Sequence, residues 1–226
     1  PGPIHHSVTG KALKKKKFQL ETINIRDFSI NKAKTVDDTP FGGGAGMIMK
    51  ADVLQNALTF AKKGFKKNCK IFSLSPSGKK ITQSFIKNLV TSKEIILICG
   101  RYEGIDQRFI DYNDIEEISV GDYILSGGEI ASFILIDACV RLIPEVLGNS
   151  ESLRSESFHD YLLEYSQYTK PSIWKKLKVP EVLLTGNHKK ISDWRLKNSL
   201  EKTKKIRPEL YNLFVKEKKR KLWITF

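Results

Sequence analysis

The stretch from Ile95 to Gly128 limits the possible folds more than any other. It opens with the apolar run Ile95-Ile96-Leu97-Ile98-Cys99 and stops at Gly100. A short apolar run bounded by glycine fits a strand buried on both faces. A polar cluster follows at once: Arg101, Tyr102, Glu103, Asp106 and Arg108. A second glycine-punctuated segment holds Gly121, Tyr123, Gly127 and Gly128. Glycine lets the chain turn sharply and lets backbone amides approach a ligand. In open α/β sheets ligands settle beyond the carboxyl ends of strands. The two loops therefore point to one pocket. Two tight turns carrying surface charges are the plainer alternative, because glycine spacing alone is a weak signal.

The neighbouring segments extend this pattern. Lys70 to Gly78 reads as a strand running into a turn. Ile81 to Val90 reads as a helix with Phe85, Ile86 and Leu89 inward, and Ile95 to Cys99 follows as the central strand. Alternation of strand and helix predicts a parallel α/β sheet. Three strand ends, near Ser75, Gly100 and Val120, then carry Gly, Pro or Ser. Ala51 to Lys62 reads as an amphipathic helix. Ahead of it, Thr35 to Met47 holds Gly42, Gly43, Gly44 and Gly46. This loop is either disordered or able to touch a ligand closely. Asp37 and Asp38 would repel phosphate, and the GK[ST] ending of a phosphate-binding loop is missing. Phe18 to Ile25 alternates loosely and reads as an edge strand. A short helix fits Lys11 to Lys16, with Lys14 to Lys17 as a solvated face; His5-His6 lacks metal-ligand spacing. Ile130 to Leu147 reads as a long apolar helix broken at Pro144. Within it, Asp137 and Arg141 are either an i,i+4 ion pair worth a few tenths of a kcal/mol, or Arg141 sits at the pocket rim.

The 226 residues carry a formal net charge of +14 and are 40% hydrophobic. That supports a real core and a polyanionic partner, nucleic acid first. An AT-rich genome would also raise the lysine content, but it would not concentrate lysines in one part of the chain. Lys197 to Lys221 contains ten basic and three acidic residues. Trp194, Arg195 and Lys197 sit on a helix read from Ser192 to Thr203, and basic helices with interleaved aromatics suit RNA backbones. A small solvated helical domain with aromatics in its core is the alternative. Gly148 to Glu156 is polar and reads as a linker, which gives domains 1–147 and 157–226. Cys69, Cys99 and Cys139 have no CxxC partner, so neither a disulfide framework nor a zinc site is expected. No apolar run spans a bilayer, no signal peptide is visible, and a cytoplasmic location without membrane or DNA partners is expected.

Several segments stand out in order: Thr35-Val-Asp-Asp with Gly42-Gly-Gly and Gly46-Met, Leu74-Ser-Pro, Cys99-Gly-Arg-Tyr-Glu-Gly-Ile-Asp106, Gly121-Asp-Tyr, and Leu125-Ser-Gly-Gly-Glu129. Val146-Leu-Gly148, Tyr168-Thr with Pro171, Gly186-Asn-His188 and Trp194-Arg-Leu-Lys197 complete the set. Together they resemble the bacterial tRNA (guanine-N1)-methyltransferases of the SPOUT class. The resemblance implies a SPOUT-type parallel sheet with a trefoil knot near the end of the first domain, followed by a small all-α domain that grips tRNA. General topology rules would not have predicted a knot. It also implies a homodimer in which the linker of one subunit reaches the cofactor of the other. The expected reaction moves a methyl from S-adenosylmethionine to N1 of the guanosine 3′-adjacent to the anticodon.

Carried over by position, the cofactor would be held by Ser75, Pro76, Gly100, Tyr102, Val120, Gly121, Asp122, Tyr123, Ile124, Leu125, Gly127 and Gly128. Glu103 would read guanine N–H groups, with Asp37 also on the substrate side and Arg141 near O6. Guanine N1 is protonated at neutral pH, so a carboxylate must remove that proton. The family's aspartate aligns with Glu156, which keeps the carboxylate one methylene further out; Asp160 or Glu151 could substitute. Phe41 stands where the family has Tyr, and Ala131 where it has Pro. The usual first strand, ending in a Leu-Phe-Pro type turn, is not seen, through truncation or disorder. The family resemblance adds help from a divalent cation such as Mg2+. No closed ligand set is visible, although Asp37, Asp38 and Glu103 could contribute. A non-catalytic binder of structured RNA is the competing function. A nicotinamide-type oxidoreductase is disfavoured because GxGxxG is absent after the first strand.

Overall fold

The computed structural model describes residues 2–65, 69–148 and 156–223, with side chains to 220. The greater part of the expected linker, including Glu151, lies outside the described residues. The chain divides into two compact units, Pro1–Gly148 and Asn149–Phe226.

The first unit is built on a three-stranded parallel sheet of β3 (Lys70–Lys80), β4 (Ile95–Cys99) and β5 (Glu116–Ser119), in the order β4-β3-β5. Helix α3 (Gln83–Val90) connects β3 to β4, and α4 (Gln107–Tyr112) connects β4 to β5. The expected parallel α/β sheet is thus present, with one correction. β3, not Ile95–Cys99, is central, because among the described strands it alone pairs on both sides. β4 is an edge among the described strands, so only Ile98 is fully buried and its other residues are half-buried.

Side-chain alternation sorts the apolar residues onto two faces. Ile96 and Ile98 join Leu54 and Leu58 of α2 (Ala51–Lys62) and Phe109 and Ile110 of α4. Ile95, Leu97 and Cys99 turn the other way, toward Phe72, Leu74, Ile86, Leu89 and Ile118. Ala131 and Leu135 of α5 (Gly128–Val140) complete that second cluster. Each cluster removes several large side chains from water at about 1.5–3 kcal/mol apiece.

Three local expectations shift. Phe18 to Ile25 forms no strand; the chain enters a helical turn at Ile25–Phe28 instead. Its apolar alternation breaks at Glu21-Thr22, so no continuous face is available for pairing. The helix expected to Leu147 ends at Val140. There the N–H groups of Leu142 and Ile143 reach back only three residues, tightening into turns ahead of Pro144. The early helix, α1, spans Ser7–Lys14 and buries Thr9, Gly10 and Ala12. Thr9 Oγ1 donates to Asp137 on α5 at 2.7 Å, a partner for Asp137 that the sequence did not reveal.

The second unit holds α6 (His188–Ile206), α7 (Pro208–Trp223) and short helical turns. It also holds a two-residue-per-strand hairpin, β6 (Ile173–Trp174) with β7 (Leu177–Lys178). It is therefore mainly helical rather than all-α. α6 begins four residues before the expected Ser192, because Asn187 caps it by accepting from Lys190 N at 3.1 Å.

Candidate active site

Register places the break in β3 beside the ends of β4 and β5. Leu74 of β3 pairs with Cys99 of β4 and with Ile118 of β5. Neighbouring strands lie roughly 4.8 Å apart, so Ser75, Gly100 and Ser119 emerge on one ledge. The expected turn at Gly78 is an excursion within β3. Leu74 and Lys79 both pair with Ile118, which leaves Ser75-Pro76-Ser77-Gly78 looped out between them. The Ser75 and Ser77 hydroxyls are 2.7 Å apart.

The loop after β4 is clamped from two sides. On one, Gly128 N donates to Gly100 O at 2.8 Å. A Cβ on Gly128 would stand 2.7 Å from Cys99 Cα, so only glycine allows the first turn of α5 to sit on this strand end. Arg101 Nε holds Glu129 Oε1 at 2.8 Å in the same turn. On the other side runs β2 (Ile48–Met49), antiparallel to β1 (Asp37–Asp38) with Asp37 opposite Met49. Met49 N donates to Gly104 O at 2.9 Å, and Asp106 N and Glu103 N donate to Met49 O and Met47 O at 3.1 and 3.0 Å. The glycine-rich loop is thus the β1–β2 connection, docked beside Glu103. At Gly46, φ is +86° and a Cβ would lie 2.4 Å from Glu103 Cγ, so a side chain there would displace the carboxylate. Tyr102 has φ 59° and its hydroxyl accepts from Arg26 Nη2 at 3.2 Å. Asp106 caps α4 by accepting from Arg108 N at 3.0 Å. The hydrogen bond from the Arg108 side chain holds its carboxyl below the usual range.

The third loop closes on itself. Ser119 Oγ accepts from Gly121 N at 3.2 Å and lies 3.1 Å from Gly121 O, and Asp122 pairs with Lys80 at 2.8 Å. Val120 and Leu125 pack into the second core cluster, whereas Tyr123 and Ile124 stay exposed. The ledge is an open surface; Tyr102, Tyr123 and Ile124 are 49, 51 and 80% exposed.

The structure therefore gathers Ser75, Pro76, Gly100, Tyr102, Glu103, the Val120–Leu125 loop, Gly127 and Gly128, with Asp37 on the adjoining hairpin. It does not bring Arg141 to them. Arg141 follows the last residue of α5, and thirteen residues at 1.5 Å put it roughly 20 Å along the helix from Gly128. Within one protomer Arg141 therefore stands at the far end of α5 from this ledge. Glu156 is half-buried, and its backbone oxygen accepts from His159 N at 3.3 Å. Sequence reasoning missed the Arg101–Glu129 pair, the Arg26–Tyr102 contact and the Lys80–Asp122 pair. The residues were visible, but separations of 28, 76 and 42 positions hid the pairings.

In the second unit Trp194 and Arg195 line a cleft of about 450 Å³ with Tyr165, Tyr168 and Lys170. Lys197 faces outward in a loose 4.0 Å pair with Glu201. Lys202, on the same helix, donates to Glu164 O at 3.0 Å.

The family model described as tRNA (Guanine-1)-methyltransferase TrmD matches residues 2–213, across both units. The chain belongs to this family. Curated members agree along nearly the whole length. The "tRNA (guanine-N(1)-)-methyltransferase" of Pelagibacter ubique is 50% identical over 216 residues, covering 96% of this chain and 93% of the relative. Those of Ehrlichia ruminantium (strain Gardel) and Rhodospirillum rubrum are 53 and 46% identical, covering 94 and 95% of this chain and 90 and 89% of theirs. Among the described residues, no group of three or more His, Cys, Asp or Glu side chains gathers as for a metal ion in this methyltransferase-family chain. No helix is long and apolar enough to cross a membrane.

Proposed function

We propose that this chain is a tRNA (guanine-N1)-methyltransferase acting on the guanosine 3′-adjacent to the anticodon, with S-adenosylmethionine as donor. The observation that carries the reading is the ledge, where three adjacent strand ends meet the first turn of α5 in a member of this family. The donor fits there on physical grounds. Ser75, Gly100 and the Gly121 turn present closely spaced backbone groups, and Gly128 keeps the helix start flush with the strand. Pro76, Tyr102, Asp122, Gly127 and the apolar members Val120, Ile124 and Leu125 complete the proposed cradle, with Tyr123 at its rim. Such loops are where a SPOUT-type trefoil knot would lie, and we include the knot in the proposal. When bound, the sulfonium supplies an electrophilic methyl.

The protein's own task is to ready guanine N1. Glu103, beside the glycine loop, offers a carboxylate to the guanine N–H groups, and Asp37 stands on the adjoining hairpin. Glu156 takes the N1 proton, and a cation at O6 stabilises the charge left on the ring. We assign that cation to Arg141. Its distance from the ledge of its own protomer leads to a second copy. α5 is apolar nearly all round, and Ile130 and Ile134 are 50 and 41% exposed. A helix of that kind calls for burial on every side. Two copies of α5 packed antiparallel about a two-fold axis would set the C-terminal end of each near the N-terminal turn of the other. Trp194, Arg195 and Lys197 are assigned to tRNA.

Nucleoside mass analysis of an unmodified tRNA transcript, after incubation with the purified protein and labelled S-adenosylmethionine, tests the reading. One added methyl on guanine N1 next to the anticodon is expected. Transcript that is bound but returned unmethylated would leave only an RNA-binding protein. Glu156→Gln should lower kcat by roughly 10²–10⁴-fold at saturating tRNA, and full activity would remove Glu156 from the role of base.

A further inference from the structure

We propose that the cleft between residues 165–172 and helix α6 holds one unstacked nucleotide of the tRNA. Its base lies against the aromatic rings and its phosphate lies on Arg195 and Lys170. The inference rests on the reading of tRNA as substrate and adds a second anchoring point in the second unit.

The cleft has the size and make-up of a ligand site, about 450 Å³ with an apolar floor that includes Val179, Leu183 and Ile191. Its aromatic wall is only partly used by the fold. Tyr168 and Trp194 stand 6.3 Å apart and tilted by 57°, and Tyr168 is 50% exposed. A ring pair serving the core alone would be closed over. Leu184, also on the wall, is 62% exposed. Arg195 is already positioned, its guanidinium carbon 4.8 Å over the Tyr165 ring.

Charge selects the occupant. Among the described lining residues are two cations and no carboxylate. The hairpin β6–β7 rises from the cleft edge, tied at its base by Val179 N to Ser172 O at 2.9 Å, and its turn carries Lys175 and Lys176. An acidic peptide would satisfy the cations but would leave the facing aromatic surfaces unused. A nucleotide uses both, since every base has a face to stack and a phosphate beside it. A base inside a duplex has both faces covered and cannot enter, so the nucleotide must be unpaired.

The test uses the full-length protein and an unmodified tRNA transcript. Equilibrium binding is measured across a salt series for wild type, Tyr168→Ala, Tyr168→Phe and Arg195→Gln, with melting curves for each. Tyr168→Ala should weaken binding on the order of tenfold without changing the salt slope, whereas Tyr168→Phe should bind like wild type. Arg195→Gln should weaken binding and reduce the slope by about one. Equal binding by wild type, Tyr168→Ala and Arg195→Gln would overturn the cleft while leaving methyl transfer by wild type intact. A loss in Tyr168→Phe as large as in Tyr168→Ala would also overturn it, because the hydroxyl and not the ring would then be responsible. If wild type binds tRNA but transfers no methyl, the enzymatic reading fails and the binding series still decides the cleft.

Discussion

Single side chains and single hydrogens shape the ledge. Asp106 closes the loop that carries Tyr102 and Glu103, accepting from Arg108 N at 3.0 Å and pairing with its guanidinium at 2.6 Å. Asp106→Ala removes a helix cap, and a loss of about 1 kcal/mol in stability is expected at neutral pH. The Arg108 hydrogen bond lowers the folded-state pKa of Asp106. Its contribution is therefore present above the unfolded value of about 4 and fades as pH falls through the folded one. Denaturation of both proteins from neutral to strongly acid pH should show the gap narrowing below about pH 4; a constant gap would mean the charge of Asp106 does nothing. Gly128 is governed by space alone. The Cβ of Gly128→Ala would press on Cys99 Cα at 2.7 Å and Gly100 N at 2.9 Å, both backbone atoms with little room to yield. A loss of about 1–3 kcal/mol is expected, together with weaker S-adenosylmethionine binding by calorimetry, since α5 must lift from the strand end. Unchanged melting and titration curves would show that the helix start is not held where the structure puts it.

Elements were legible where their signal was local. Ile95–Cys99 and Ala51–Lys62 could be bounded from apolar patterning, because one is an unbroken apolar run that Gly100 stops and the other repeats a helical periodicity. The core residues Phe85, Ile86 and Leu89 followed from the same reasoning. Which strand was central did not, because pairing on both sides of β3 depends on contacts distant in sequence. The turn at Ser75–Gly78 was legible, but its return into β3 was not, since Lys79 comes back to a partner already used by Leu74. Of the candidate site, the glycine turns and Glu103 could be found by residue type. The separation of Arg141 from them needed the length of α5. That helix also carries the prediction proper to this scale. Ile130 and Ile134, one turn apart, leave an apolar stripe on α5 exposed in one copy. If two copies pair through α5 as proposed, wild type should sediment as a dimer at micromolar concentration and Ile134→Glu as a monomer, with methyl transfer falling alongside. A wild-type chain that sediments as a monomer under those conditions would end the argument that α5 pairs.

Over the whole molecule, charge decides how the partner is met. A net +14 over 226 residues is far more than a fold needs, and pairing among the chain's own charges leaves it unchanged. On α7, Lys216 and Lys219 are exposed, and Arg220 meets Glu217 at 3.8 Å. Side chains left in water in this way stabilise the fold by little, yet against a phosphate each releases bound counterions. Affinity for tRNA should therefore fall linearly on a log–log plot as salt rises. Replacing Lys216, Lys219 and Arg220 together by Gln should flatten that slope by roughly two to three if all three meet phosphate. Because these residues lie in the second unit and the ledge in the first, S-adenosylmethionine binding should not change. A slope equal to that of wild type would place the tRNA elsewhere on the protein. A parallel loss of cofactor binding would mean instead that α7 supports the fold of the ledge, and the two measurements, made on one preparation, separate these cases.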